Sequence, residues 1–224
     1  MATQDTSLPL HPKPQEQDPP TTTTYKTYHL GDFPLQNSTT LPSAHLAYLA
    51  LGSPSNPAII YPTWYSGTIS TNLWLTGPSK TLNPEHFYII IPALFGNGES
   101  TSPSNWVHKN SKPFPQVTFY DNVRAQHELV TKGLGIEKAR CVLGWSMGAG
   151  QTYQWATQFP DFMELAVPFC GSARTSLHNQ VFLEGVKVAL LGASGQESAG
   201  VCAEQEGGYR AWTEGEKRKG LKAL

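Results

Sequence analysis

The chain has 224 residues, with 16 Lys and Arg against 17 Asp and Glu and a formal net charge of -1. This length allows one sizeable α/β core, the balanced charge excludes the basic surface of a nucleic-acid-binding protein, and no apolar run reaches the roughly 20 residues of a membrane helix. The three cysteines, Cys141, Cys170 and Cys202, form no metal-ligand pattern, which predicts no bound metal, buried and reduced thiols at Cys141 and Cys170, and a cytoplasmic location.

Composition divides the chain into three parts. Residues 1–25 are rich in Pro, Thr and Gln and have neither the basic start nor the apolar stretch of a secretory signal, so we expect a disordered leader. Residues 26–190 contain the predicted strands and helices of the core. Residues 191–224 are expected to form a divergent tail, whose first part is rich in Gly, Ser and Ala.

Strands and helices alternate through the central part. The segments 27–30 and 45–50 predict an antiparallel pair, whereas the continuous apolar runs at 58–61 and 87–91 predict strands covered on both faces, as in a parallel sheet. The order predicts an α/β fold with a mostly parallel sheet flanked by helices. The further predicted elements are a helix at 120–134 that ends at Gly135, a strand at 139–143, a helix at 151–159 that Pro160 stops, and a strand at 165–170.

The most informative segment is Gly144-Trp145-Ser146-Met147-Gly148, which lies between a predicted buried strand and a predicted helix. A Gly-x-Ser-x-Gly sequence in this context is typical of a nucleophile elbow, a strained turn that lifts the serine hydroxyl out of the sheet. Side chains two residues before or after the serine would collide with the tightly folded chain. We therefore predict that Ser146 is a nucleophile and that the backbone N–H of Met147 stabilises an oxyanion.

Four stretches together resemble the α/β-hydrolase superfamily, and within it the homoserine O-acetyltransferase-like branch. They are residues 61–68 (YPTWYSGT), 95–105 (FGNGESTSPSN), 121–126 (DNVRAQ) and 144–179. The resemblance implies that the first loop supplies the second oxyanion N–H, assigned to Tyr65 with Trp64 beside it. It also implies a ping-pong reaction in which acyl-CoA is a co-substrate rather than a bound cofactor. The YPTWYSG loop departs from the His-Ala-Leu-Thr-Gly type of the methionine-pathway enzymes, which leaves the substrate open.

Several residues in these stretches allow two interpretations. Arg174 follows a strand end, where it either binds a substrate carboxylate or forms a surface ion pair. The Gly-Asn-Gly sequence at 96–98 is either a functional loop or an ordinary turn. The aromatic residues either line an acyl pocket or serve packing; they are Trp64, Tyr65, Trp74 and Trp106.

The sequence lacks a convincing base for the serine. Downstream of Ser146 the only histidine is His178 and the only aspartate is Asp161, and Asp161 is expected at the far end of the elbow helix. In the resembling family the acid and the base follow a helical cap and further strands. We therefore expect an N-terminal portion of the fold that lacks the cap and the last strands and whose open sheet edge favours a homodimer or another covering partner.

Three hypotheses follow. The first is a serine acyltransferase or esterase that acts on a small-molecule ester or alcohol, including a secondary metabolite. The second is a catalytically impaired pseudoenzyme or fragment that retains only the binding cleft. The third is an improvised triad of Ser146, Asp161 and His178.

Overall fold

Six strands form one sheet in the part of the chain that the computed structural model describes, residues 24–108 and 113–193. The predicted leader at 1–25 and tail at 191–224 lie almost wholly outside these described residues. In chain order the strands are β1 (Lys26–Pro34), β2 (Thr40–Leu51), β3 (Ala58–Ile60), β4 (Tyr88–Pro92), β5 (Ala139–Trp145) and β6 (Met163–Phe169).

The strand order across the sheet is β1-β2-β4-β3-β5-β6. The pairs β1–β2 and β2–β4 are antiparallel, whereas β3 is parallel to both β4 and β5, and β5 is parallel to β6. The predicted antiparallel entry and the mostly parallel sheet are both confirmed. Because β5 lies next to central β3, the serine that follows β5 emerges from the interior of the sheet.

Three α-helices accompany the sheet in the described residues: α1 (Phe119–Glu128), which continues as a π-turn at Leu129–Gly133, α2 (Met147–Gln158) and α3 (Leu177–Ala193). Helix α2 begins at Met147, four residues before the predicted start. The prediction was late because two of the first four residues, Gly148 and Gly150, disfavour a helix, and the first turn forms through packing instead. Helix α3 was not predicted at all. No helix in the described residues combines the length and apolar character needed to cross a bilayer.

The two faces of the sheet are buried by different kinds of structure. Helices α1 and α2 cover one face, where Ile60 of β3 and Trp155 of α2 belong to the same buried cluster. The other face, which includes Ile59 and Ile89, is covered by a long connection that contains a 3-10 turn at Thr71–Leu75. Alternating residues of β3 thus face two separate cores, as the continuous apolar run predicted.

A capping box fixes the start of α1 and ties it to the rest of the fold. The Thr118 hydroxyl accepts from the Asp121 N–H, while the Asp121 carboxylate accepts from the Thr118 N–H at 3.0 Å and from the Gln36 N–H at 2.7 Å. The side-chain oxygen of Asn122 accepts from the Phe95 N–H at 2.8 Å. The 121–126 stretch therefore begins with two residues that join α1 to the β1–β2 turn and to the loop after β4.

Strand β6 forms one edge of the described sheet. Its side chains are largely exposed, with Leu165 at 50% and Val167 at 40% relative accessibility. Cys141 on β5 is buried as predicted, but Cys170, directly after β6, is exposed, so the prediction of a buried thiol at Cys170 was wrong. The reason is that β6 is covered less completely than β5, and Cys170 lines an open cleft beside Ser146.

Candidate active site

The turn at Ser146 has the geometry of a nucleophile elbow. Ser146 lies between β5 and α2 with φ 55° and ψ -118°. Residues other than glycine rarely adopt this backbone conformation. A Cβ on Gly144 would overlap the carbonyl group of Gly148, and a Cβ on Gly148 would come within 3.0 Å of the Pro62 carbonyl oxygen. The two glycines are therefore required by close backbone approach on both sides of the serine.

The end of β6 supports the same turn from the outside. The Ser146 N–H donates to the Phe169 carbonyl at 3.1 Å. A Cβ on Gly171 would lie 2.5 Å from the Ser146 carbonyl oxygen and 2.6 Å from the Ala149 Cβ. The chain after β6 thus packs tightly against the elbow although the strand itself is exposed.

Ser146 opens into a cleft of about 590 Å³. Two other predicted site residues, Met147 and Tyr65, lie in its wall, together with His178 from the first turn of α3. The remaining lining residues are Phe119, Gly150, Cys170, Gly171, Ser172, Thr175, Ser176, Asn179, Phe182 and Leu183. The cleft is thus bounded on one side by the elbow and on the other by α3.

The cleft brings together the two residues whose N–H groups were predicted to bind an oxyanion. Met147 is the first residue of α2, and the first N–H groups of a helix have no partner within the helix. Tyr65 lies in a turn closed by the Gly67 N–H donating to the Trp64 carbonyl at 3.0 Å. That bond fixes the Trp64–Tyr65 peptide plane and therefore the direction of the Tyr65 N–H. Burial raises the pKa of the Tyr65 phenol, so the phenol stays protonated at neutral pH and is no base.

The Gly-Asn-Gly loop braces the loop that carries Tyr65. The Asn97 side-chain amide donates to the Gly67 carbonyl at 3.2 Å, and the Glu99 carboxylate accepts from the Ile69 N–H at 2.9 Å. Burial raises the pKa of the Glu99 carboxyl, and the hydrogen bond from Ile69 opposes that rise. The loop is therefore more than a turn, because its side chains hold the neighbouring loop in place.

Further polar side chains fix the start of the Tyr65 loop. The Asn72 amide donates to the carbonyls of Tyr61 and Pro62 at 3.2 and 3.1 Å, and the Gln151 amide of α2 donates to the Thr63 carbonyl at 2.8 Å. Sequence reasoning missed Asn72 and Gln151. The available signal was the position of Gln151 one helical turn after Met147, directly beneath the elbow.

The structure does not bring the other two predicted site residues to the cleft wall. The Trp64 ring packs edge-on against Trp145, with centroids 4.7 Å apart, and Trp74 approaches the same ring at 6.0 Å. Arg174 is exposed in the segment between β6 and α3 and is absent from the lining of the cleft. Trp106 is buried against Phe114. Of the four aromatic candidates, only Tyr65 lines the cleft.

The improvised triad is not assembled. Asp161 is exposed in a 3-10 turn at the far end of α2, and a 12-residue helix spans about 18 Å. His178 does line the cleft with Ser146, but the structure records no hydrogen bond between the two side chains. Asp161 therefore cannot orient a base at Ser146. Within the described residues no group of three or more His, Cys, Asp and Glu side chains could hold a metal ion.

Known proteins resemble this chain in sequence and in fold. The alpha/beta hydrolase fold family matches residues 60–177. An ethyl acetate hydrolase of Pseudomonas veronii is 39% identical over 165 residues, which make up 71% of this chain and 47% of that protein. A homoserine O-acetyltransferase of Rhodospirillum rubrum is 38% identical over 122 residues, 52% of this chain and 31% of that protein.

Solved structures agree with these sequence matches. A monoclinic structure of an acetyl esterase has a TM-score of 0.75 at 35% identity and covers 81% of this chain and 56% of that chain. An acetylester hydrolase from Corynebacterium glutamicum has a TM-score of 0.72 at 34% identity, over 77% of this chain and 51% of that chain. The present chain spans about half the length of the curated relatives that it matches over most of its own length.

Proposed function

This chain belongs to the alpha/beta hydrolase family, and we propose that it carries the nucleophile and the oxyanion hole of a serine esterase that acts on small acyl esters. The observation that carries the proposal is the strained backbone of Ser146 at the mouth of a cleft whose wall includes Met147 and Tyr65. A strained turn of this kind persists where the surrounding structure holds it, and its effect is to expose one hydroxyl.

The proposed reaction has two steps. The Ser146 Oγ attacks the ester carbonyl, the N–H groups of Met147 and Tyr65 stabilise the tetrahedral oxyanion, and the alcohol leaves with a proton. Water, or an acceptor alcohol, then attacks the acyl-serine and regenerates the free hydroxyl. The serine proton needs a base, and His178 is the one imidazole among the described residues that line the cleft.

Ester hydrolysis is the preferred form of the proposal. The ethyl acetate hydrolase aligns with 71% of this chain, compared with 52% for the homoserine O-acetyltransferase of Rhodospirillum rubrum, at nearly equal identity. This favours a short acyl group, such as acetyl, on a small alcohol. In the transferase form of the reaction, acyl-CoA would be the donor and a small alcohol the acceptor, with no permanently bound cofactor.

A binding cleft without turnover is the second candidate. It is favoured by the remote position of Asp161, which leaves His178 without a hydrogen-bonded carboxylate in the described part of the chain. Loss of a triad member lowers the rate by several orders of magnitude but leaves a residual rate from oxyanion stabilisation and binding. The two candidates therefore differ in a measurable rate.

Assembly and location belong to the same proposal. A second copy of the chain or another protein would cover the exposed β6 edge, since Leu165 and Val167 present apolar surface there. Sedimentation analysis that finds only monomer would exclude the homodimer. The free thiols of Cys141 and Cys170 support a reducing, cytoplasmic location.

The test is turnover of 4-nitrophenyl acetate by the wild type and by Ser146→Ala. We expect wild-type turnover above the uncatalysed rate and a large fall toward that rate in Ser146→Ala, which keeps only the residual contribution of the oxyanion hole and binding. Ser55→Ala, on an exposed turn, is the matched control. Turnover in Ser146→Ala equal to that of the wild type would reject the esterase. Ester binding without turnover by folded wild-type protein would favour the binding cleft.

A further inference from the structure

A directed chain of four buried polar groups runs from the helical core to the loop that carries Tyr65. The Trp155 indole N–H donates to the side-chain oxygen of Gln126 at 2.9 Å, and the Gln126 amide donates to the side-chain oxygen of Gln151 at 2.6 Å. The Gln151 amide then donates to the Thr63 carbonyl at 2.8 Å. All four residues are fully buried.

The two ends of this hydrogen-bonded chain fix the donor-to-acceptor direction of all its bonds. An indole N–H can only donate and a backbone carbonyl can only accept, so each glutamine must present its oxygen toward Trp155 and its NH2 toward Thr63. A reversed amide at Gln126 or Gln151 would place two donors or two acceptors face to face in a buried site, which costs about 1–3 kcal/mol for each unsatisfied group. The orientation of both amides is therefore determined by the network itself.

This hydrogen-bonded chain of side chains ends next to the two proposed oxyanion donors. Gln151 lies four residues after Met147 on α2, so both residues are on the same face of the helix, one turn apart. The Thr63 carbonyl that Gln151 holds belongs to the peptide just before Trp64 and Tyr65. The backbone of α2 also touches this loop directly, because a Cβ on Gly148 would come within 3.0 Å of the Pro62 oxygen. Helix α2 thus supplies the Met147 N–H and also contacts the loop that supplies the Tyr65 N–H.

We propose that Gln151, oriented by Gln126 and Trp155, is a positioning residue that sets the separation between the Met147 and Tyr65 N–H groups. The expected effect on ester turnover rests on the proposed function, whereas the expected displacement of the Tyr65 loop does not. Packing alone does not require a glutamine at position 151, since an apolar side chain could fill the same volume. Only a hydrogen-bond donor can bind the Thr63 carbonyl.

Two substitutions at one position test the role. Gln151→Met keeps the approximate volume and removes the donor without introducing a charge. Gln151→Glu keeps the shape, but its ionised carboxylate faces the Thr63 carbonyl and repels it, and only the protonated acid can donate. Gln154→Glu makes the same chemical change on the same helix, where Gln154 contacts Gln158 and not the chain of buried groups. Thermal unfolding and circular dichroism verify that each variant is folded.

The first readout is the amide N–H resonances of Trp64, Tyr65 and Met147 in 15N-labelled protein. We expect Gln151→Met and Gln151→Glu to shift the Trp64 and Tyr65 peaks, and the Gln151→Glu peaks to return toward the wild type as the pH is lowered. Gln154→Glu should leave them in place. Unshifted Trp64 and Tyr65 peaks in both folded Gln151 variants would overturn the proposal.

The second readout is 4-nitrophenyl acetate turnover. A displaced oxyanion donor lowers kcat more than it raises KM, and we expect a fall in kcat of about 10- to 1,000-fold in both Gln151 variants. For Gln151→Glu, the ratio of its kcat to the wild-type value should recover as the pH falls. Equal kcat values in the wild type and the folded Gln151 variants would overturn the kinetic role. If the wild type turns over no ester, the proposed function fails, and the amide peaks still decide whether Gln151 positions the loop.

Discussion

The two sides of the cleft are built in different ways. The elbow side consists of β3, β5, α2 and the loops at 61–69 and 96–106, and its polar groups are fixed by buried or partly buried hydrogen bonds. The open side consists of β6, the segment 170–176 and α3, where Leu177 is 79% exposed and Phe182 61% exposed. Both sides line the same cavity, but the open side exposes far more apolar surface than the elbow side.

This difference separates two parts of the proposed chemistry. The nucleophile and the oxyanion donors are on the elbow side, where burial and hydrogen bonding fix them before any substrate arrives. The one histidine of the cleft, His178, is on the open side, in the first turn of an exposed helix. We therefore expect the described part of the chain to stabilise an oxyanion better than it removes the serine proton.

The largest expected effect is on the free energy of unfolding when alanine replaces one glycine on each side of the cleft. Gly144→Ala would drive a methyl group into the Gly148 carbonyl, whereas a Cβ on Gly185 of α3 meets nothing within 4 Å. We predict that Gly144→Ala lowers the free energy of unfolding by about 3 kcal/mol or more. Gly185→Ala should leave it unchanged or raise it by about 0.5–1 kcal/mol. Urea unfolding measures both, and equal losses would break the distinction between the two sides.

The next largest expected effect is a loss of stability when asparagine replaces a buried aspartate but not when it replaces an exposed one. Asp121→Asn replaces one acceptor of a fully buried carboxylate with an NH2 group that faces backbone donors, at a cost of about 1–3 kcal/mol. Asp161→Asn changes an exposed turn and should have almost no effect on unfolding or on ester turnover. A large loss of turnover in Asp161→Asn would revive the improvised triad.

The smallest expected effect is a pH dependence at His127. Burial lowers the pKa of the His127 imidazole, whose ring stacks on Phe159 at 3.8 Å. The unfolded chain therefore binds this proton more readily, so the contribution of neutral His127 to stability is complete above the ordinary histidine pKa of about 6.5 and is lost as the pH falls below it. Comparing unfolding at pH 7.5 and pH 5.5, we predict a smaller loss for His127→Phe than for the wild type. A loss in His127→Phe equal to that of the wild type would contradict this prediction.

The elbow could be predicted from sequence because a short motif and its flanks encode one backbone geometry. The glycines at 144 and 148 favour the elbow over an ordinary strand-to-helix turn because a buried strand precedes them and a helix follows. The positions of Ser146, Met147 and Tyr65 in one cleft follow from that geometry and from the loop after β3. The mostly parallel sheet could be predicted for a similar reason, since the runs at 58–61 and 87–91 are apolar on both faces.

The remaining features depend on partners that are distant in the chain. Gln126 and Gln151 look like ordinary polar residues of a helix, and only folding shows that they face each other in the core. Helix α3 was missed because its apolar residues, among them Val181, Phe182 and Leu183, are consecutive and mark no single face. Trp64 was assigned to the substrate site because it adjoins Tyr65, but its ring turns toward Trp145.

The proposed chemistry depends on the reactivity of the Ser146 hydroxyl, and labelling with a fluorophosphonate probe tests that reactivity most directly. After incubation of folded protein, peptide mass spectrometry should locate a single phosphonyl adduct on Ser146, and Ser146→Ala should carry none. The rate of labelling should fall in Gly148→Ala, where the elbow and the Pro62 carbonyl are forced apart. Folded wild-type protein that stays unlabelled at Ser146, or an adduct on another residue with Ser146 free, would contradict the account.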